Sequence, residues 1–217
     1  MTASPLSAPI RVLLVDDHAV VREGYRRLLE RESGIEVAGE AADAADACAR
    51  AMDLVPDIVV MDIGLPGVSG IEAMRRMLAH QPQLRVLMFS MHDDAIFASR
   101  AFEAGAVGYL SKSSAPEALV EAIYAVSRGE RYSSPDVAGN LARRSPSNAP
   151  AGLQALTARE FEVLRLLVRG VTLDRIAEKL GLSEKTVANH QSAVREKLGV
   201  RNSLQLARLA AQLGLPT

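Results

Sequence analysis

The chain has 217 residues, 48% hydrophobic and 24% charged, with a net charge of −1. This is the ordinary composition of a soluble globular protein, with length for one large domain or two small ones. The single cysteine, Cys48, excludes an intramolecular disulfide and fits a reducing, cytoplasmic setting. No apolar run approaches the ~20 residues that span a bilayer, and the opening MTASPLSAPI reads as a short tail without the features of a secretory signal.

From residue 10 the pattern alternates. IRVLLVDD is an apolar run ending in two acids, Asp16 and Asp17, and AVVREGYRRLLERES has helical spacing. IEVAGEA is the next strand and DAADACARAMDLV the next helix, where Cys48 in an Ala-rich stretch reads as packing, with a redox role as the alternative. DIVVMD ends in Asp62, followed by a Pro-Gly turn and the helical SGIEAMRRMLAHQ. LRVLMFS ends in Ser90, and DAIFASRAFEAG is helical. AVGYLSK carries Tyr109 and ends at Lys112, and APEALVEAIYAVSRG closes the series. Five strand–helix units in succession imply a parallel sheet covered on both faces, a doubly wound α/β domain over residues 10–129.

After Gly129 this rhythm stops. Residues 130–152, rich in Ser, Pro, Ala and Gly, read as a linker with a short helix at 135–143. Residues 153–217 read as an all-α domain of four short helices. Charge divides at the same place: residues 1–130 hold 12 basic and 19 acidic side chains, residues 131–217 hold 13 and 7. An acidic front and a basic back predict different partners, and the basic part suits nucleic acid.

In open parallel sheets, sites form beyond the carboxyl ends of the strands. This chain would bring Asp16, Asp17 and Asp62 together there, with Ser90 and Lys112 beside them. Three carboxylates at one edge repel unless a cation neutralises them, and hard oxygen donors with room for water suit Mg²⁺. A carboxylate beside a divalent ion and a lysine is equipped to attack phosphorus and become an aspartyl phosphate, with Ser90 and Lys112 on the phosphoryl oxygens. Taken singly, each residue has a plainer reading: Asp17 a helix cap, Asp62 a turn opener, Ser90 a strand-end hydroxyl, Lys112 a surface lysine. His18, His80 and His92 show no metal-ligand spacing. A haloacid-dehalogenase type of phosphatase would need a second acid two residues after Asp62, where Gly64 stands.

At the basic end, Thr157-x-x-Glu160 is a capping box, with Phe161, Leu164, Leu167 and Val168 as the apolar stripe behind it. Two helices then flank a turn at Gly181, with Ser183 capping the second. On that second helix Val187, Gln191, Val194 and Leu198 share one face. Lys185, Asn189 and Ser192 share the opposite one, with Thr186 and Ala188 beside it and Arg195 and Lys197 flanking. This is a helix-turn-helix pattern, whose outer face can meet double-stranded DNA in the major groove or stay merely solvated. His190, at the margin of the buried stripe, reads as structural or as touching a DNA phosphate. In the last helix Leu206 and Leu213 are predicted to be partly exposed, a dimer contact or core packing.

The segments VLLVDDHAVVREG, VVMDIGLPGVSG, VLMFSMHDD and GAVGYLSK resemble the receiver domain of two-component response regulators. The resemblance implies a flavodoxin-like fold with strand order 2-1-3-4-5 and Asp62 as phosphoacceptor. It implies Mg²⁺ held by Asp17, Asp62 and the Gly64 carbonyl, with Asp16 in the same pocket. Ser90 falls at the family's hydroxyl, Tyr109 at its aromatic switch and Lys112 at its lysine. Many receivers place a cis proline after that lysine, where this chain has Ser113. LTARE, IAEKLGLSEKTVANH and REKLGVRNSLQLARLA resemble the LuxR-type helix-turn-helix, over residues 153–213. Many relatives carry a basic residue at the Ala188 position. The two together resemble the NarL/FixJ class of transcription regulators, and FSMHDD, YLSKSSAPEAL and YSSPDVAGNLA are most similar to its UhpA branch. The resemblance implies a regulator rather than an enzyme. Its partners would be a sensor histidine kinase, double-stranded DNA, RNA polymerase and a second copy of the chain when phosphorylated or DNA-bound. Phosphorylation would draw Ser90 inward, Tyr109 would follow, and the surface around residues 93–128 would change. A phosphate relay or sink, or a regulator working without phosphate, are the alternatives.

Overall fold

The computed structural model describes residues 8–91, 95–143, 152, 155–202, 205, 206, 208 and 209. The chain divides into two compact units, Met1–Ser145 and Pro146–Thr217.

The first unit is built on β1 (Ile10–Val15), β2 (Ile35–Ala41), β3 (Ile58–Met61), β4 (Arg85–Ser90) and β5 (Gly108–Ser111). Between and after them run α1 (Ala19–Leu29), α2 (Ala44–Leu54), α3 (Gly70–His80), α4 (Ala95–Glu103) and α5 (Glu117–Ser127). β3 and β5 are buried along their whole length and β4 after its first residue, as continuous apolar runs demand of central parallel strands. One core includes Val12, Leu14, Ile58, Val60, Leu87, Phe89 and Leu110 from the sheet and Leu119, Ile123 and Val126 from α5. Tyr25 of α1 meets Phe89 edge to face at 4.7 Å. The helices start on local caps: Asp43 accepts from the Ala45 and Asp46 amides, and Ser69 from Glu72.

With a sixth strand, β6 (Tyr132–Ser133), the strand order is β2-β1-β3-β4-β5-β6, all pairs parallel. The expected 2-1-3-4-5 order is therefore present and extended by one strand. β6 (Tyr132–Ser133) lies in the stretch expected to be linker, and α6 (Pro135–Arg143) follows it. Two residues are too few to show an alternating pattern, and Ser-Ser-Pro reads locally as a turn. Tertiary pairing with Gly108 and Tyr109 makes the strand. Helix α6 packs against α4 and β5, with Val137 fully buried. The Ser111 amide donates to the buried Ser134 hydroxyl at 3.4 Å, and Arg131 lies over the Phe102 ring at 5.8 Å. Residues 131–143 thus belong to the first unit.

In the second unit, α7 (Ala158–Val168), α8 (Leu173–Leu180) and α9 (Glu184–Leu198) enclose a core including Val163, Ile176, Ala177 and Val187. The capping box at Thr157 and Glu160 is fully formed. The turn between α8 and α9 runs through Gly181 at φ 63°, the left-handed region that spares glycine a Cβ clash. Ser183 then accepts from the Thr186 amide to start α9. Residues 205, 206, 208 and 209 are helical, where the fourth helix was expected. Among the described residues no helix is long and apolar enough to cross a membrane.

Candidate phosphorylation pocket and helix-turn-helix

Parallel register brings the functional side chains to one edge. Val15 pairs with Met61, Met61 with Met88, and Ser90 with Ser111, so the residues after these strands emerge together. Backbone bonds carry the register one step further: the Asp62 amide donates to the Val15 carbonyl at 2.9 Å, and the Lys112 amide to the Ser90 carbonyl at 2.8 Å. Gly70 then lets α3 start close by, because a Cβ there would collide with the Asp62 carbonyl.

Lys112 sits among the acids. Its Nζ lies 2.5 Å from Asp16 Oδ2 and 2.9 Å from Asp62 Oδ2, with all three side chains 7–8% exposed. The other Asp62 oxygen accepts from the Gly64 amide at 3.2 Å, and Asp16 Oδ1 accepts from the His18 amide at 2.8 Å. Burial pushes the Asp62 carboxyl above its ordinary range; Lys112 pulls the other way without cancelling it, and Asp16 adds to the rise. Burial works to lower the Lys112 pKa, but Asp62 and Asp16 outweigh it and hold the ammonium charged. The pocket is therefore an anionic cavity with one fixed cation for two buried carboxylates, which fits a second, divalent one.

The donors fit such an ion. One ligand atom each from Asp16, Asp17, His18 and Asp62 all lie within 4.8 Å of one another. Three are hard carboxylate oxygens of the kind Mg²⁺ takes. His18 has no metal-ligand spacing in the sequence, yet its Nδ1 is 2.8 Å from Asp17 Oδ1. The signal was position alone, directly after the acid pair. Asp17 is not the cap of α1; that place falls to His18, whose side chain makes no capping bond.

Ser90 ends β4 in the buried interior. Tyr109 is fully buried, and its carbonyl accepts from the Ser134 amide at 3.1 Å. Tyr109 thus lies beside the edge strand β6, which the local sequence pattern does not show. The Lys112–Ser113 peptide is trans. The Ser113 amide and hydroxyl meet the Ser111 hydroxyl at 3.2 and 2.6 Å, a local turn in the place of the family's proline.

On α9, Lys185, Asn189 and Ser192 are exposed, while Val187 and Val194 are buried opposite them. Thr186 and Arg195 are half-buried at the margin. Lys197 is different. Its ammonium lies 2.8 and 2.7 Å from the two oxygens of the buried Glu160, tying α9 to the capping box of α7. Its charge thus has a partner inside the domain, beside the DNA-facing role expected of it. Leu206 is 4% exposed, which corrects the expectation of a partly exposed dimer residue there. Leu213 lies outside the described residues, as does His92.

The response regulator receiver domain family matches residues 12–124, and the luxR family of bacterial regulatory proteins matches residues 154–210. The chain is 36% identical to the response regulator UvrY of Escherichia coli (strain K12) over 208 residues, 95% of each chain. It is 36% identical over 208 residues to the response regulator GacA of Pseudomonas aeruginosa, covering 95% of this chain and 97% of that one. Among solved structures, a LuxR-family two-component response regulator from Aurantimonas sp. SI85-9A1 matches with TM-score 0.61 and 52% identity, over 62% of this chain and 96% of that one. A structure of two RcsB dimers bound to two parallel DNAs matches with TM-score 0.60 and 26% identity, over 94% of this chain and 99% of that one.

Proposed function

Since the chain belongs to the response regulators that join a receiver domain to a LuxR-type DNA-binding domain, we propose that it is a transcription regulator switched by phosphorylation of Asp62. The observation that carries the reading is the buried Asp16–Lys112–Asp62 cluster at the strand ends. It is a regulator and not an enzyme, as its relatives are.

An oxygen of the Asp62 carboxylate attacks phosphorus as the bond to the donor's leaving group breaks. A sensor histidine kinase in the cytoplasm is the donor, and its phosphohistidine nitrogen leaves with the electron pair. Asp62 ends as an aspartyl phosphate. Lys112, already paired with both carboxylates, follows the new negative charge onto the phosphoryl oxygens. The Gly64 amide, now on Asp62 Oδ1, keeps the carboxylate from turning away. Ser90 donates its hydroxyl to the same phosphoryl group. Asp17, Asp62 and the Gly64 carbonyl would hold Mg²⁺, which would supply neutralisation of the phosphoryl charge. Asp16 completes the charge balance of the pocket.

Downstream, Lys185, Thr186, Asn189, Ser192 and Arg195 form the DNA-facing side of α9. The RcsB–DNA complexes support duplex DNA as ligand and a second copy of the chain as partner. RNA polymerase is the further partner by which a bound regulator acts. Residues 10–143 form the receiver with its β6–α6 extension, and residues 153–217 the DNA-binding domain.

The test is intact mass after incubation with acetyl phosphate and Mg²⁺, beside Asp62→Asn. One added phosphoryl group, Mg²⁺-dependent and absent from the variant, is expected. No gain in wild type removes the phosphorylation switch. Duplex binding that steepens with phosphorylation and weakens with salt is the second expected result. Binding insensitive to salt overturns the DNA-binding role and leaves a phosphate relay.

A further inference from the structure

We infer that His18 is a nitrogen ligand of the phosphorylation pocket, which makes that pocket a site for divalent transition-metal ions as well as for Mg²⁺. The inference rests on the reading above that the pocket holds a divalent cation.

His18 stands where the chain turns from β1 into α1. Its backbone is extended, at φ −90° and ψ 102°, and its ring makes no capping bond. A ring in that position could lie along the helix surface. Instead Nδ1 sits 2.8 Å from Asp17 Oδ1 and 3.3 Å from Asp16 Oδ1. The four ligand atoms of Asp16, Asp17, His18 and Asp62 fall within 4.8 Å of one another. Donors of a single ion, at bonds of about 2.0–2.4 Å, are separated by roughly 4–5 Å at most. One ion therefore reaches all four with small side-chain adjustments.

The cationic neighbour does not block it. Lys112 uses Oδ2 of Asp16 and Oδ2 of Asp62. His18 approaches the Oδ1 side of Asp16, away from the ammonium. The ring is 61% exposed, so an ion arriving from solvent meets it directly.

The donor set decides the metal class. Carboxylate and carbonyl oxygens alone suit Mg²⁺ or Mn²⁺, and an imidazole nitrogen adds preference for Co²⁺, Ni²⁺ and Zn²⁺. The rival role for His18 is to hydrogen-bond Asp17 and orient it, as outer partners of metal ligands do. The two roles differ in a measurable way. An orienting residue supports every ion through Asp17, whereas a nitrogen ligand supports Ni²⁺ and leaves Mg²⁺ almost untouched.

The experiment is calorimetric titration of the tag-free, full-length protein with Mg²⁺ and with Ni²⁺, and with Ni²⁺ against saturating Mg²⁺. Wild type, His18→Ala and His18→Asn are compared. In wild type, Ni²⁺ is expected to bind one site that Mg²⁺ competes for. Both variants are expected to lose about tenfold or more in Ni²⁺ affinity and less than about twofold in Mg²⁺ affinity. The visible spectrum of bound Co²⁺ is expected to change in the variants, since an oxygen replaces a nitrogen in its field. Ni²⁺ affinity that is unchanged, or that falls in step with Mg²⁺, overturns the ligand role of His18 while Mg²⁺ binding stands. Failure of wild type to bind Mg²⁺ overturns the cation reading of the pocket, and this inference with it.

Discussion

Asp62 carries a cost that its chemistry requires. Its carboxyl is held above the ordinary range by burial, so the folded protein keeps that proton more tightly than the unfolded chain does. The stability linked to this group is full below the unfolded carboxylate pKa and is lost as pH rises through the raised folded one. Asp62→Asn is neutral at every pH and escapes that loss. The variant is expected to be more stable than wild type at neutral pH, with the gap closing toward acid; thermal unfolding across pH reads it. Lys112 is the converse. Lys112→Ala leaves Asp16 and Asp62 facing one another without their ammonium, and is expected to destabilise by about 3 kcal/mol. Most of that cost is expected to disappear in the Asp62→Asn background, since one buried anion is then gone; a double-mutant cycle by denaturant unfolding measures the coupling. These residues were legible because acids and a lysine at strand ends break the apolar pattern. His18 was not, since a lone histidine after two acids has no spacing to mark it. Its proximity to Asp17 is a product of how α1 begins.

At the scale of elements, local chemistry and tertiary pairing divide what sequence can show. The capping box of α7, the Gly181 turn and the Ser183 cap of α9 were all readable, because each is settled within four residues. The Lys197–Glu160 pair was not, since it spans 37 residues between helices that sequence places only in order. From sequence alone Lys197 reads as a DNA contact. A basic residue on a helix near a recognition face has two uses for its charge, and only packing chooses. The choice has a test. Lys197→Met is expected to lower the stability of the second unit by about 1–3 kcal/mol, because Glu160 is left buried without its cation. It is expected to leave the salt dependence of DNA binding unchanged. Lys185→Ala is expected to do the reverse, with stability within about 0.5 kcal/mol of wild type and the slope of log K against log salt reduced by about 1. Unfolding curves and salt titrations on the two variants give both readings. β6 is the other element that sequence concealed. Its two residues gain their strand character from Gly108 and Tyr109, which lie more than twenty positions away.

For the whole molecule, the division into an acidic, sheet-based unit and a basic, helical one was visible in charge and rhythm alone. The place of the division was displaced by composition. Residues 130–143 look like linker, yet β6 lies along β5 and α6 packs on α4 and β5. A strand at the rim of a parallel sheet offers a row of unpaired amides and carbonyls to any passing chain. Here β5, buried along its length and bearing Tyr109, would be that rim were it not for β6. A fragment ended at Gly129 would bare it, together with the apolar seat of Val137. Such a fragment is expected to self-associate, and a fragment ended at Arg143 to remain a monomer at the same concentration; sedimentation velocity on the two decides it. The short strand therefore acts as a selvedge, finishing the sheet so that the receiver meets its partners by regulated contact and not through an open hem.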